Sequence, residues 1–487
     1  MTTDEMLEKY DMTIGIECHV QLATTTKLFS GADNDARNRE PNTVVNPIDF
    51  GLPGMLPVLN REAINLAIKA GKTLGSEIAH VSRFDRKHYF YPDLPKGYQT
   101  TQMYQPIIIG GLVEAPLEDG SIVKVHLHHA HLEEDAGKLT HDSTYSLVDL
   151  NRAGTPLIEI VSEPDMHSAA EAKAYATELY RLMTYAGVTR GDLYHGNMRF
   201  DVNISIAPKG ATELGKRAEV KNLNSFRSVE RAADFEFRRQ VELLEKGERV
   251  VQETRGWDET LQKTNSQRSK EDAQDYRYMP DADIPPVVLT DEEIASVQAD
   301  LPILPSAYRE NWKALNLDSS VVNAVLNYQP VAVMLDAIVE RYGATDIARR
   351  VFHWFASLQV NDQDVAAVES GLVGPQRLSE LSMMLEDNKL SSTGAKEIFL
   401  DLFKEEYLGK MPAEIAESKN LLQVSDESAI GAIVDEVLAD PASAKAVEDL
   451  KNGNDKVIGF LVGQVMKKSQ GKANPALAQD LIRKKVL

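Results

Sequence analysis

The chain has 487 residues, 43% of them hydrophobic, which suits two to four domains with real cores. No apolar run nears the roughly 18 residues of a bilayer span, and the polar, acidic stretch Met1–Asp11 lacks an apolar h-region, so neither membrane insertion nor a secretory leader is expected. The single cysteine, Cys18, excludes an intrachain disulfide and fits a reducing, cytoplasmic location, while a net charge of −21 repels nucleic acid unless a local basic patch intervenes.

Thr13–Leu22 alternates as a strand does. Ile14, Ile16, Cys18, Val20 and Leu22 share one face, and Glu17, His19 and Gln21 share the other. Cys18 is thereby placed in the core rather than in a nucleophile's position. A helix is predicted from about Arg61 to Leu74. Its Gly71-Lys72-Thr73 imitates the end of a P-loop, but Leu66 stands where the upstream glycine belongs, and no G-x-G-x-x-G is present.

Asp85–Gln99 and Asp275–Pro280 mix aromatics, prolines and charges. Such segments stack on exposed RNA bases or form rigid packed loops. A strand is predicted over Ile122–Leu127. Beyond it, His131-Leu132-Glu133-Glu134-Asp135-Ala136-Gly137-Lys138 places three acids in succession. Their repulsion suits a solvated loop or a cation site, and Mg²⁺, which prefers oxygen ligands, suits the latter. His126, His128, His129 and His131 offer zinc ligands as a competing reading, at a spacing that matches no zinc signature.

Leu157–Val161 reads as a strand in which Glu159 is flanked by isoleucines; a carboxylate so placed needs a cation, a metal or a proton. Helices are predicted from about Ser168 to Ala186, stopped by Gly187, and from Ser225, as N-cap, to about Gly247. Between them Arg199–Ile206 repeats the strand pattern, with Phe200, Val202, Ile204 and Ile206 inward and Asp201 outward. Pro280–Pro286 reads as an extended exit, after which strand signals vanish. Pro330–Tyr342 and Asp346–Leu358 have helical periodicity. The predicted fold class is α+β: an N-terminal domain with an antiparallel sheet over 1–290, an all-helical domain over 291–410 and an all-helical tail over 411–487, the first of which the family resemblance given below implies to be cradle-like. Residues 401–450 carry 4 Lys/Arg against 12 Asp/Glu, net −8, and residues 451–487 carry 8 against 2, net +6. The basic end suits a solvated helical face or a phosphate contact.

Taken together these blocks resemble the B-subunit family of the bacterial aspartyl/glutamyl-tRNA amidotransferases. The marks are Ile14-Gly15-Ile16-Glu17 with His19, Tyr91-Pro92-Asp93-Leu94-Pro95-Lys96-Gly97-Tyr98-Gln99, His131–Lys138, Asp149–Asp165, Glu219–Phe226, Gly459–Gln464 and Gly471–Pro475. The resemblance implies a ligase that phosphorylates the side-chain carboxylate of Glu-tRNA(Gln) or Asp-tRNA(Asn) with ATP and Mg²⁺. Ammonia from an amidase-type glutaminase partner then forms the amide, and a small third protein completes a heterotrimer. It implies Glu17, His19, Glu133, Glu134, Glu159 and Asp201 as catalytic residues, with Glu17, His19, Glu134, Glu159 and Asp201 as metal ligands. Arg152, Lys221 and Asn222 are implied on the cofactor, and the basic tail (Lys456, Lys467, Lys468 and Lys472) on tRNA. Tyr194-His195-Gly196-Asn197-Met198 departs from the Glu-Gly-Ser-Leu that relatives often carry there. Some family members hold a structural zinc through cysteines, and a single cysteine argues against such a site here. A stand-alone metal-dependent phosphohydrolase and a non-catalytic RNA-binding scaffold are the rival readings.

Overall fold

A computed structural model describes residues 3–269, 275–358, 360–423, 427–469 and 472–487. The chain divides into two compact units, Met1–Pro305 and Ser306–Leu487.

The first unit is built on one long sheet. Its main strands are β1 (Tyr10–Gln21), β2 (Ile122–Glu134), β3 (Pro156–Ser162), β4 (Met198–Pro208), β5 (Ala218–Leu223), β6 (Glu253–Asp258) and β7 (Lys263–Ser269). They lie in the order β7-β6-β5-β4-β1-β3-β2, continued by the short strands Ile108–Ile109 and Glu77–Ile78. The pairs are antiparallel except β5 with β6. Those two run parallel because the helix between them, Phe226–Glu245, and its following turn carry the chain back to the starting edge.

Helices α1 (Arg61–Thr73), α2 (Ala169–Tyr185) and α3 (Phe226–Glu245) begin where short polar side chains can cap them. The Asn60, Ser168 and Ser225 side chains accept the N–H groups of Glu62, Glu171 and Ser228. Their apolar sides join Ile14, Ile16, Cys18, Val20, Ile158, Ile160, Val202 and Ile204 in one core on one side of the sheet. Gly71 sits inside α1, where a Cβ would come within 2.4 Å of Ile78, so this glycine serves close packing rather than phosphate binding.

The strand predicted to end at Leu127 runs on to Glu134. A bulge explains the difference: β2 slips register between Leu127 and His129 opposite Ser162 and Val161. His128 is the extra residue, and it interrupts the alternation that Ala130 and Leu132 then resume. The aromatic segments near residues 85–99 and 275–280 pack on each other. Asp85–His88 pairs with Tyr98–Thr101 and Met279–Pro280, and Arg86 binds Asp281 and Asp283, each at 2.8 Å. One short strand follows the proline exit, Val287–Val288 against Val81–Ser82.

The second unit is helical throughout its described residues. Gln329–Tyr342 and Asp346–Ser357 match the periodic segments. Trp312, fully buried, donates to Asp336 at 2.8 Å and meets Phe352 edge-on. Residues 430–482 form a core of their own around Ile430, Val434, Leu450, Leu461, Val465 and Leu481. No single helix among the described residues is long and apolar enough to cross a membrane.

Candidate active site

The face of the sheet opposite the apolar core collects the charges. Cross-strand register decides which residues meet. Glu17 lies opposite Asp201, and His19 lies opposite Glu159 on one side and Arg199 on the other. Glu159 in turn lies opposite His131, and Asn203 opposite Glu219. The result is two groups of ligand-type atoms, each within 4.8 Å of one another: His19 with Glu133 and Glu159, and Glu17 with Asp201 and Glu219.

The electrostatics of the first group centre on His131. Burial works against its imidazolium, but hydrogen bonding to Glu133 and Glu159 raises it to about 9. Burial alone would push the Glu159 carboxyl up, yet His131, His19 and Lys87 hold it well below the usual carboxylate range. His19 Nε2 stands 3.5 Å from Glu133 and 3.8 Å from Glu159. Burial also opposes the charge on Lys87, and the carboxylates of Glu133 and Glu159 help to overcome it.

The second group is more crowded with negative charge. Burial, then Glu159, Glu219 and Asp201, raise the Glu17 carboxyl. Lys221 answers part of this, with Nζ 2.7 Å from Asp201 and 3.1 Å from Glu219, and these partners hold its ammonium charged against burial. Lys221 reaches Asp201 because β5 bulges there: Phe200 faces Leu223 and Val202 faces Val220, so two residues, Lys221 and Asn222, oppose one. Asn222 takes a φ of 68°, a left-handed conformation that asparagine tolerates better than most residues.

The residues present fit a hard divalent cation. Glu17, Asp201 and Glu219 offer an all-oxygen set. Beside them, Asn203 donates to Glu17 at 2.9 Å, and its buried Oδ1 has no hydrogen-bond partner among the described residues. A cavity of 290 Å³ opens on the face, lined by His19, Glu133, Asp201, Lys221, Asn222 and Arg199 among others.

Five of the six residues expected to be catalytic, Glu17, His19, Glu133, Glu159 and Asp201, share this face. Glu134 does not join them. It follows Glu133 on the strand and so projects the other way, where Lys96 and the Thr100 N–H take its carboxylate. Its neighbour Glu133 stands with His19 and Glu159 instead. Lys221 and Asn222 line the cavity, but Arg152 lies to one side, donating to the Ala136 and Gly137 carbonyls at 2.9 and 2.8 Å. Sequence reasoning passed over Glu219 as a site residue and weighed His131 only as a zinc ligand. The signal was present in both, since Glu219 is at i,i+2 from Lys221 and His131 at i,i+2 from Glu133. The four histidines do not make a zinc site: His126 binds Asp165 at 2.8 Å, while His128, His129 and His131 hydrogen-bond in a row. In the second unit Lys468 is already paired with Glu436 at 2.7 Å. Gly471 of the tail motif lies outside the described residues.

A family model for the GatB/GatE catalytic domain matches residues 12–295, and one for the GatB domain matches 334–486. The chain belongs to the GatB family. Two of its similar relatives are named as the B subunit of aspartyl/glutamyl-tRNA(Asn/Gln) amidotransferase. That of Janthinobacterium sp. (strain Marseille) is 46% identical over 98% of this chain and 99% of its own length. That of Alkalilimnicola ehrlichii is 45% identical over 98% of this chain and 99% of its own. The GatB catalytic domain thus coincides with the sheet unit and its charged face. End-to-end likeness to an amidotransferase component gives the phosphohydrolase reading no support.

Proposed function

We propose that this GatB-family chain is the component that converts Glu-tRNA(Gln), Asp-tRNA(Asn) or both to the amidated forms, and that the charged sheet face is its active site. The carrying observation is the convergence of five carboxylates from β1, β2, β3, β4 and β5 on one sheet face, where they form two close groups and two of them, Glu133 and Asp201, line a small cavity. Carboxylates packed this closely destabilise a fold unless a cation answers them. Mg²⁺ would be held by Glu17, Asp201 and Glu219, or by Glu133 and Glu159 with His19, and when bound it neutralises charge on a transferring phosphoryl group.

The side-chain carboxylate of the substrate attacks the γ-phosphorus of ATP, and ADP leaves. Ammonia then displaces phosphate from the acyl phosphate and gives the amide. Lys221, held between Asp201 and Glu219, orients phosphate oxygens, and Arg199, which lines the same cavity, does so too. His131 keeps Glu159 ionised. The lone Cys18 is fully buried, where burial raises its thiol and suits it to no nucleophile's role. In this reading ammonia comes from an amidase-type glutaminase partner, braced by a small third protein in a cytoplasmic heterotrimer. The reading keeps a catalytic cradle over 1–290, a helical domain over 291–410 and a tRNA-holding tail over 411–487 with Lys456, Lys467 and Lys472. Lys468 enters this role only by releasing Glu436. The experiment is to combine the chain with its glutaminase and small partners, Glu-tRNA(Gln), Mg-ATP and glutamine. Gln-tRNA is the expected product, and phosphate release that needs no tRNA would refute the assignment.

A further inference from the structure

The cavity on the carboxylate face holds a hydrogen-bond donor that the chemistry above leaves idle. Among the described residues lining those 290 Å³, Tyr89 alone carries a hydroxyl. Three other donors on the same cavity are engaged. Arg199 binds Asp135 at 2.8 Å, Lys221 binds Asp201 at 2.7 Å, and the Gln99 side chain donates to the Glu134 carbonyl at 2.9 Å. The Tyr89 hydroxyl has no hydrogen-bond partner among the described residues. A polar group left unsatisfied by the protein at a cavity is available to a ligand.

The ring that carries this hydroxyl is fixed without it. Tyr89 follows directly on the strand Asp85–His88, which pairs with Tyr98–Thr101, and its N–H donates to the Gly97 carbonyl at 3.2 Å. The His88 N–H donates to the Tyr276 carbonyl at 2.9 Å, and the Tyr276 ring meets that of Tyr89 edge-on at 6.2 Å. Nor does the hydroxyl suit a base. Burial, then the charges of Asp93, Glu133 and Asp135, push the phenol above its usual range, so it keeps its proton. Tyr89 therefore faces a carboxylate-rich cavity as a neutral donor, a pattern that suits the stabilisation of an oxyanion.

The amide-forming step has a place for such a donor. Ammonia adds to the acyl carbon of the acyl phosphate, and the carbonyl electron pair moves onto oxygen. When this tetrahedral oxyanion collapses, the C–O bond to phosphate breaks. Phosphate leaves with that bond's electron pair, and one N–H proton passes to it. The oxyanion forms beside Glu133 and Asp201, whose charges oppose it. Arg199 and Lys221 are drawn by charge to the phosphate, which leaves the acyl oxygen to the neutral donor. At 290 Å³ the cavity lies at the lower edge of the roughly 300–1,000 Å³ of ligand pockets, so the groups lining it stand close to whatever reacts there. We propose that Tyr89 is a catalytic residue of the amide-forming step, its O–H donating to the acyl oxygen as that oxygen becomes an anion. The inference deepens the proposed function and rests on it for the acyl phosphate.

The test is a single turnover of the chain combined with its glutaminase and small partners, wild type against Tyr89→Phe. Glu-tRNA(Gln), Mg-ATP and glutamine are supplied, and ADP and Gln-tRNA are followed separately. Phenylalanine keeps the ring, and an unchanged thermal melt checks that the fold is kept. ADP is expected at the wild-type rate and Gln-tRNA roughly 10²-fold more slowly, the range for losing one oxyanion donor, with the half-saturating tRNA concentration unmoved. Gln-tRNA formed by the variant at the wild-type rate overturns the inference. Equal slowing of ADP and Gln-tRNA also overturns it, since the phenol would then serve the phosphoryl group. A wild type that forms no Gln-tRNA sinks the proposed function and this inference together, whereas an active wild type with an equally active variant sinks the inference alone.

Discussion

Along β1, Ile14, Ile16, Cys18 and Val20 are fully buried against helices, while Glu17 and His19, one residue out of step, enter a face where they are partly buried. Glu133 is 4% exposed, His131 7% and Asp201 9%, little more than the aliphatics behind them. Burial separates the two faces only by degree, fully buried against partly buried along β1; the cost of burial separates them more. The apolar face gains roughly 25 cal/mol per Å² removed from water. The charged face must offset the desolvation of each ion through a partner, and its answering charges, His131, Lys221, Lys87 and Arg199, are fewer than its carboxylates. One face stabilises the fold, and the other gives up stability for a cation site.

Substitutions should separate the faces cleanly. Glu159→Gln and Asp201→Asn are each expected to lower amidation by roughly 10³-fold, about 4 kcal/mol of barrier, with unchanged circular dichroism; normal turnover in both would show that the chemistry lies elsewhere. Across the sheet, Ile16→Ala is expected to cost about 3 kcal/mol in denaturant unfolding while the folded fraction keeps its turnover number. Deleting residues 411–487 should weaken tRNA binding about tenfold, measured by filter binding, and leave the first unit folded; unchanged affinity would show that the tail does not hold tRNA. The smallest effect is expected from Lys221→Met. Its side chain is 39% exposed, so solvent screening limits the loss of its ion pairs to about 1 kcal/mol in thermal melts. Millimolar Mg²⁺ should recover part of that loss by binding the carboxylates left unpaired.

The same contrast explains what could be read from the sequence. Alternation placed Cys18 inward and Glu17 and His19 together, because a strand with one apolar face has a fixed register. Ser168 and Ser225 announced their helices because a cap is a local event. What escaped depended on irregularity or on partners distant in the chain. The His128 bulge hid the second half of β2, and with it the phase that sends Glu133 into the site and Glu134 out of it. Glu219 gained meaning only when β5 was laid beside β4. A cavity of 510 Å³ lined by Gln21, Arg37, Arg152, Arg190 and Tyr194 among others draws on several loops, and no short window of sequence contains it.

The most direct measurement of the metal site is divalent-cation binding to the charged face. Mn²⁺, used as a paramagnetic stand-in for Mg²⁺, would be titrated into the wild-type chain and into a folded Glu17→Gln, Glu159→Gln, Asp201→Asn variant. Saturable binding by the wild type and its loss in the variant are expected. Equal binding by both would show that these carboxylates do not form the metal site.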